Sequence, residues 1–268
     1  MIIIGEKING TIPATGQAIA NRNKAYITDL AQRQSEAGAN YIDICAATAP
    51  AEEIETMRWL IDVVQSVTDT PLSIDSPNPQ VIAEVITDVE QPGLINSVSL
   101  EADKTAVIFP LIADSDWQCI ALLCDNNGIP STVAERLSIA QQIIECATGY
   151  GISSSRLHID PLVMSLPTDE TSMTKFMECC QTIKAGHPDI HITSGLSNIS
   201  FGLPLRRTIN QSFLILAMGA GMDSAIMDPL DREMLASLLS TDALLGNDKH
   251  CRKFTTAYRQ GKIGIKKS

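Results

Sequence analysis

MIIIGEKING, residues Met1–Gly10, holds the reading that decides the fold. Ile2, Ile3 and Ile4 form a continuous β-branched run, the signature of a strand covered on both faces. A doubly wound nucleotide-binding sheet usually announces itself after such a strand with a G-x-G-x-x-G loop. GEKING is not that loop. Three isoleucines followed by charged residues are also a poor secretion signal and a good first strand.

Outward from this segment the same alternation repeats. Further strands are predicted over Tyr41–Ile44, Leu72–Ile74, Leu94–Val98, Ile120–Leu123, Leu157–Ile159, His191–Thr193 and Ala225–Met227. Segments of helical period lie between them, near Lys24–Ala37, Glu53–Val67, Gln80–Thr87, Ala102–Ala113, Val133–Tyr150, Ser172–Ala185, Arg207–Met218 and Glu233–Leu239. Gly38 is placed to end the first of these helices, Pro79 to start the third, and Thr132 and Thr171 to cap the fifth and sixth. Eight βα units in 268 residues is the arithmetic of a (β/α)8 TIM barrel. No linker or low-complexity stretch interrupts residues 1–268, so one domain is expected. A helical tail begins near Thr241, and the basic end, Lys262–Ser268, is expected to fray.

Composition narrows the function. Apolar residues make up 44% and charged residues 19%, as in a folded globular protein. The net charge is −11, which argues against nucleic acid or an anionic membrane surface as partner. The most apolar stretch, Phe213–Met222, is far short of the ~20 residues that span a bilayer. Seven cysteines without a C-x-x-C pair argue against a disulfide framework and for the cytoplasm.

Barrel enzymes work at the C-terminal ends of their strands. Here that rim holds Glu6, Lys7 and Asn9, then Asp43 and Cys45, Asp75 and Ser76, Asn96 and Ser97, Asp125 and Asn126, and Asp160. Ser194, Gly195, Ser197 and Asn198 follow the seventh strand, and Asp228 the eighth. Any one of these has an ordinary reading as a cap or turn residue. Pooled in one mouth, carboxylates and amides suit a ligand rich in N–H donors. Asp160 stands where Schiff-base barrels often carry a lysine, and Lys7 reads as half of an ion pair. No histidine ends a strand, so no bound metal is expected. His158 and His191 read as interior residues, and Cys119, Cys124 and Cys146 as small apolar ones.

MIIIGEKING, YIDIC around Asp43, LSIDSPN, LINSVS, HIDPL and above all GLSNISFGLPLRRTINQSFL resemble the pterin-binding methyltransferases, along almost the whole chain. These enzymes carry methyl groups between tetrahydrofolate and a corrinoid. The likeness is to the methyltetrahydrofolate:corrinoid/iron–sulfur protein methyltransferase of acetogens and, more distantly, to the folate domain of cobalamin-dependent methionine synthase. The resemblance implies that Asp75, Asn96 and Asp160 grip the pterin ring. It implies that Asn198 approaches N5, with Gly195 and Ser197 beside it and Arg206 near the anionic glutamate tail. Glu6, Asn9 and Ile226 complete the expected pterin-binding set. This sequence departs from the family at Cys45, where relatives commonly carry Asn, at Asp125, which is Asn in the acetogen enzyme, and in the apolar stretch Phe201–Leu205.

An amide does not titrate, so Asn198 is expected to stabilise a protonated N5 through its carbonyl oxygen, with Asp43 and water in the same network. No D-x-H-x-x-G motif accompanies the four histidines. The resemblance implies tetrahydrofolate or 5-methyltetrahydrofolate as substrate, and without that motif cobalamin is expected on a separate corrinoid protein that docks transiently at the mouth. The resemblance also implies a homodimer formed through the outer helices. The direction of transfer stays open at this point. A dihydropteroate synthase-like enzyme is the alternative, disfavoured because the loop AATAPAEE, Ala46–Glu53, is acidic and lacks glycine. Non-catalytic pterin binding and a metal-dependent lyase are the others.

Overall fold

The first seven strands pair in parallel, each with the next along the chain. The computed structural model describes residues 1–264. In chain order the elements are β1 (Ile2–Asn9), α1 (Pro13–Ala20), α2 (Lys24–Ala37), β2 (Tyr41–Cys45), α3 (Pro50–Gln65), β3 (Leu72–Asp75), α4 (Pro79–Val85), β4 (Leu94–Leu100) and α5 (Lys104–Ile112). They continue with β5 (Gln118–Asp125), α6 (Val133–Gly149), β6 (Leu157–Asp160), α7 (Ser172–Gly186), β7 (His191–Ile192), α8 (Arg206–Gly219), β8 (Ser224–Met227), α9 (Arg232–Leu244) and α10 (Arg252–Arg259).

β8 pairs with β1, and the Ile226 N–H reaches Ser194 O at 3.0 Å, which draws the last gap together. The result is the (β/α)8 barrel. Its main apolar core lies between strands and helices. A separate small cluster of Ile4, Leu94 and Ile120, flanked by Ile2, Tyr41, Leu122 and Ile226, fills the inside. Side chains two positions on share a strand face. Glu6 therefore follows Ile4, Asp43 follows Tyr41 and Asn96 follows Leu94 on that inner face. The sequence thus changes from apolar to polar one step along β1, β2 and β4, and that step places the polar mouth.

Beneath it, His158 is fully buried between Ser224 Oγ (2.9 Å) and Gln118 Oε1 (2.6 Å), and its ring lies 4.7 Å from that of His191. Burial pushes the His158 pKa down to about 3, so it is a neutral interior residue. His158 is interior, as the sequence puts it; His191 lies within β7 but is half-buried, its Nδ1 3.1 Å from Asp223 Oδ2. Lys7 likewise pairs with Asp228 at 3.1 Å.

Three expectations change. β1 runs on to Asn9 past a bulge after Gly5, rather than ending at Ile4. A helix that the periodicity missed, α1, precedes α2. The C-terminal segment is helical as expected, yet its basic end does not fray at Lys262: that Nζ bonds Glu36 O at 2.7 Å, Ile263 is buried, and Arg232 bonds Gly264 O at 2.8 Å. The rest of that expected frayed end lies outside the described residues. Among the described residues, no helix is long and apolar enough to cross a membrane.

Candidate active site

A cavity of about 330 Å³ opens at the C-terminal ends of the strands. Glu6, Asn9, Thr11, Ile12, Asp43, Asp75, Asn96, Gly195, Ser197, Asn198 and Ile226 line it. Of the expected site residues, only Asp160 and Arg206 are not on this wall.

The wall is built for acceptance. Asp43 is 2% exposed, and its Oδ1 takes the Ser73 hydroxyl at 2.6 Å and the Asn96 amide N–H at 3.2 Å. That second bond turns the Asn96 amide so that its oxygen is the end left for a ligand. Burial and the neighbouring Asp75 carboxylate hold the Asp43 pKa well above the usual range. Asp75 is pushed up to about 6, chiefly by burial; the Cys45 thiol donates to it and lowers its pKa, and Glu53 raises it. Glu53 is itself buried and accepts the Ser76 hydroxyl at 2.6 Å. Burial, then Asp228, raises Glu6. A guanidine-like edge offering several N–H groups would satisfy this set of acceptors, and Ile12 and Ile226 add apolar surface to the lining.

Asp160 stands one layer back. It is 5% exposed, and its Oδ1 accepts the Leu162 N–H at 2.8 Å. A second bond comes from the backbone N–H of Gly195, which does line the cavity. Burial raises the Asp160 pKa to about 7.

The loop after β7 supplies the other wall. Residues Leu196–Ser200 form one 3-10 turn, with the Asn198 N–H on Gly195 O at 3.3 Å. A Cβ at position 195 would lie 3.1 Å from the Asn198 side-chain nitrogen, so glycine there lets the amide lie against the backbone. Arg206 is exposed and fastens this loop, donating to Ser197 O at 2.9 Å and Ser200 Oγ at 3.1 Å. Its charge, after that of Lys7, works against the rise of the Glu6 pKa.

The other rim residues do local work. Asp125 accepts the Asn127 N–H at 2.8 Å, and Asn126 accepts that of Ala102 at 2.8 Å. Sequence reasoning missed Thr11 and Ile12, and it missed the supporting Ser73 and Glu53. Asn9-x-Thr11 carries a readable signal, since Asn9 Oδ1 accepts both the N–H and the hydroxyl of Thr11 at 2.9 and 2.6 Å. Ser73 pairs with a residue 30 positions away, and nothing local marks it. Among the described residues, no three His, Cys, Asp or Glu side chains converge as metal ligands.

A parallel barrel with an acidic, amide-rich mouth is the architecture of enzymes that hold a pterin. The chain belongs to the pterin-binding enzyme family, whose sequence pattern matches residues 12–228. It is 50% identical over 266 residues to the methylcorrinoid:tetrahydrofolate methyltransferase of Eubacterium limosum, covering 98% of both chains. It is 28% identical over 240 residues to the methionine synthase of Mycobacterium tuberculosis, covering 85% of this chain and 20% of that protein. Among solved structures, a dihydropteroate synthetase with bound product superposes with TM-score 0.69 at 17% identity, covering 91% of this chain and 94% of the other. The Xanthomonas albilineans dihydropteroate synthase with 4-aminobenzoic acid gives 0.65 at 20%, covering 92% and 93%. Those two likenesses establish the fold alone.

Proposed function

We propose that this protein transfers a methyl group between the cobalt of a corrinoid held by a partner protein and N5 of tetrahydrofolate, running from methylcorrinoid to folate. The observation that carries this reading is the 50% identity, over 98% of both chains, to a methylcorrinoid:tetrahydrofolate methyltransferase, whose name runs in that direction. The acceptor-lined cavity supports it. Asp75 and Asn96 bind the aminopyrimidinone edge of the pterin, with Asp160 behind them. Asn9, Glu6, Ser197 and Ile226 frame the ring, and Arg206 attracts the glutamate tail.

In this direction the N5 lone pair attacks the methyl carbon. The carbon–cobalt bond breaks and leaves its electron pair on cobalt, so Co(III) becomes Co(I). N5, briefly cationic, is stabilised by the Asn198 carbonyl oxygen and then loses its proton. Asp43, whose pKa is raised, takes that proton through water. Alignment of two large substrates supplies most of the remaining rate. The same site serves the reverse reaction when a proton is delivered to N5.

The partner docks transiently over the open mouth, where Phe201 and Leu205 are 69% and 79% exposed. A homodimer forms instead through the outer helices, where α8 exposes Ile215 and Leu216. Residues 1–268 act as one barrel, in the cytoplasm. The test is to incubate purified protein with tetrahydrofolate and either methylcobalamin or a methylated corrinoid protein. Formation of 5-methyltetrahydrofolate, faster with the protein-bound corrinoid, is expected. Tight tetrahydrofolate binding with no methyl transfer from either donor would sink the reading.

A further inference from the structure

α6 carries a charge on its inner face. Arg136 is 1% exposed and heads the fully buried side chains by volume. It shares that face with Ile139, Ala140 and Ile143. Removing a guanidinium from water is costly unless its donors are met. Here carbonyls meet them. Nε donates to Pro130 O at 3.1 Å, and one terminal nitrogen donates to Pro161 O at 2.9 Å and Leu162 O at 3.0 Å. Among the described residues, no Asp or Glu forms an ion pair with it.

The two clamped carbonyls at the inner end belong to the residues directly after Asp160. Leu162 is held at φ 62°, the left-handed region that leucine rarely adopts. In that turn its N–H meets Asp160 Oδ1 at 2.8 Å. Guanidinium, turn and carboxylate are therefore one connected unit. The groups facing Asp160 are Arg136 from α6, the Cys180 thiol from α7 and the Gly195 N–H after β7. Burial raises the Cys180 pKa, so that thiol stays neutral and Arg136 is the one full charge acting on Asp160.

We propose that Arg136 is a positioning residue for the folate: it fixes the Pro161–Leu162 turn, whose N–H holds the Asp160 carboxylate, and its positive charge favours the ionised form of that carboxylate against its burial. The proposal rests on the reading of Asp160 as part of the pterin grip. A purely structural arginine would change stability and leave the pH dependence of folate binding where it was.

The test is calorimetric titration with tetrahydrofolate between about pH 5.5 and 8.5 for wild type, Arg136→Met, Arg136→Lys, Asp160→Asn and the double variant Arg136→Met/Asp160→Asn. Arg136→Met is expected to weaken affinity at neutral pH by about 10-fold and to move the pH midpoint of binding up by about one unit. Arg136→Lys keeps the charge and loses the fork, so it should lose about 3-fold in affinity with its midpoint unmoved. Turnover at saturating folate should change by less than about 3-fold in both, because the reacting atoms are not touched. In the Asp160→Asn background, Arg136→Met should have almost no further effect. A folded Arg136→Met with an unmoved midpoint, or with the same loss in both backgrounds, overturns the proposal. If circular dichroism shows that Arg136→Met does not fold, Arg136→Lys decides, and wild-type affinity there overturns it. The pterin reading of Asp160 fails by a different result, namely Asp160→Asn binding as tightly as wild type.

Discussion

At the scale of single residues, the proposed roles separate binding from chemistry. Asp75→Ala should weaken tetrahydrofolate binding by about 2–4 kcal/mol, since ligand N–H groups would lose a charged acceptor; isothermal calorimetry reads this directly, and an unchanged dissociation constant removes Asp75 from the grip. Asn198→Ala should lower kcat by at least ~10-fold through lost stabilisation of N5, with a smaller change in folate affinity. Gly195→Ala tests the same amide from the other side. Its new Cβ would meet the Asn198 nitrogen at 3.1 Å, so kcat should fall while thermal stability holds within about 1 kcal/mol. Most wall residues were legible because they lie near the end of a strand or just after it, and strand ends can be found from apolar runs; Thr11 and Ile12, beyond the end of β1, were not. Nor were the supports of the wall. Ser73 lies inside a strand and reads as an ordinary buried position until β2 and β3 are paired, while Arg136 reads as a solvated helix residue until α6 is docked.

At the scale of elements, chemical punctuation was more readable than extent. Thr132 and Glu135 form a reciprocal capping box, with the Glu135 N–H on Thr132 Oγ1 at 3.2 Å and the Thr132 N–H on Glu135 Oε2 at 3.1 Å. Thr132→Ala should cost about 1 kcal/mol, measured as a shift in urea midpoint with unchanged slope. Thr171, an equal candidate from sequence, makes no such bond; its hydroxyl turns back to Asp169 Oδ1 at 2.6 Å. Gly38 ends α2 at φ 100°, as its position after the last periodic residue suggests. β1 and α1 were hard to read for opposite reasons. A bulge breaks the β1 pattern after Gly5, so the polar residues beyond it look like loop. Gly16 and an uncapped start give α1 little helical signal, and it is held by its contacts with α2 and β1.

At the scale of the whole molecule, the buried carboxylates of the mouth work against stability. Asp75 and Asp160 bind protons more tightly in the folded state than in the unfolded chain, with pKa values raised to about 6 and about 7. Their contribution is complete below the ordinary carboxylate range and is lost as pH rises through those values. The substrate-free protein should therefore melt at a lower temperature at about pH 8 than at about pH 5.5, and added tetrahydrofolate should restore most at the upper end. Asp160→Asn should flatten that profile and stabilise the empty protein by about 1–3 kcal/mol at about pH 8 while losing folate affinity; a variant as pH-sensitive as wild type would contradict this. The docked tail bears on handling. Lys262 bonds to the end of α2, and the surface cleft beside it is shared with Ile3 and Gly38, at the foot of the barrel opposite the mouth. A sensor chip or bead attached beyond Gly264 would accordingly hold the molecule by its base and present the cavity to the flow, the orientation in which capture of a corrinoid carrier is best measured.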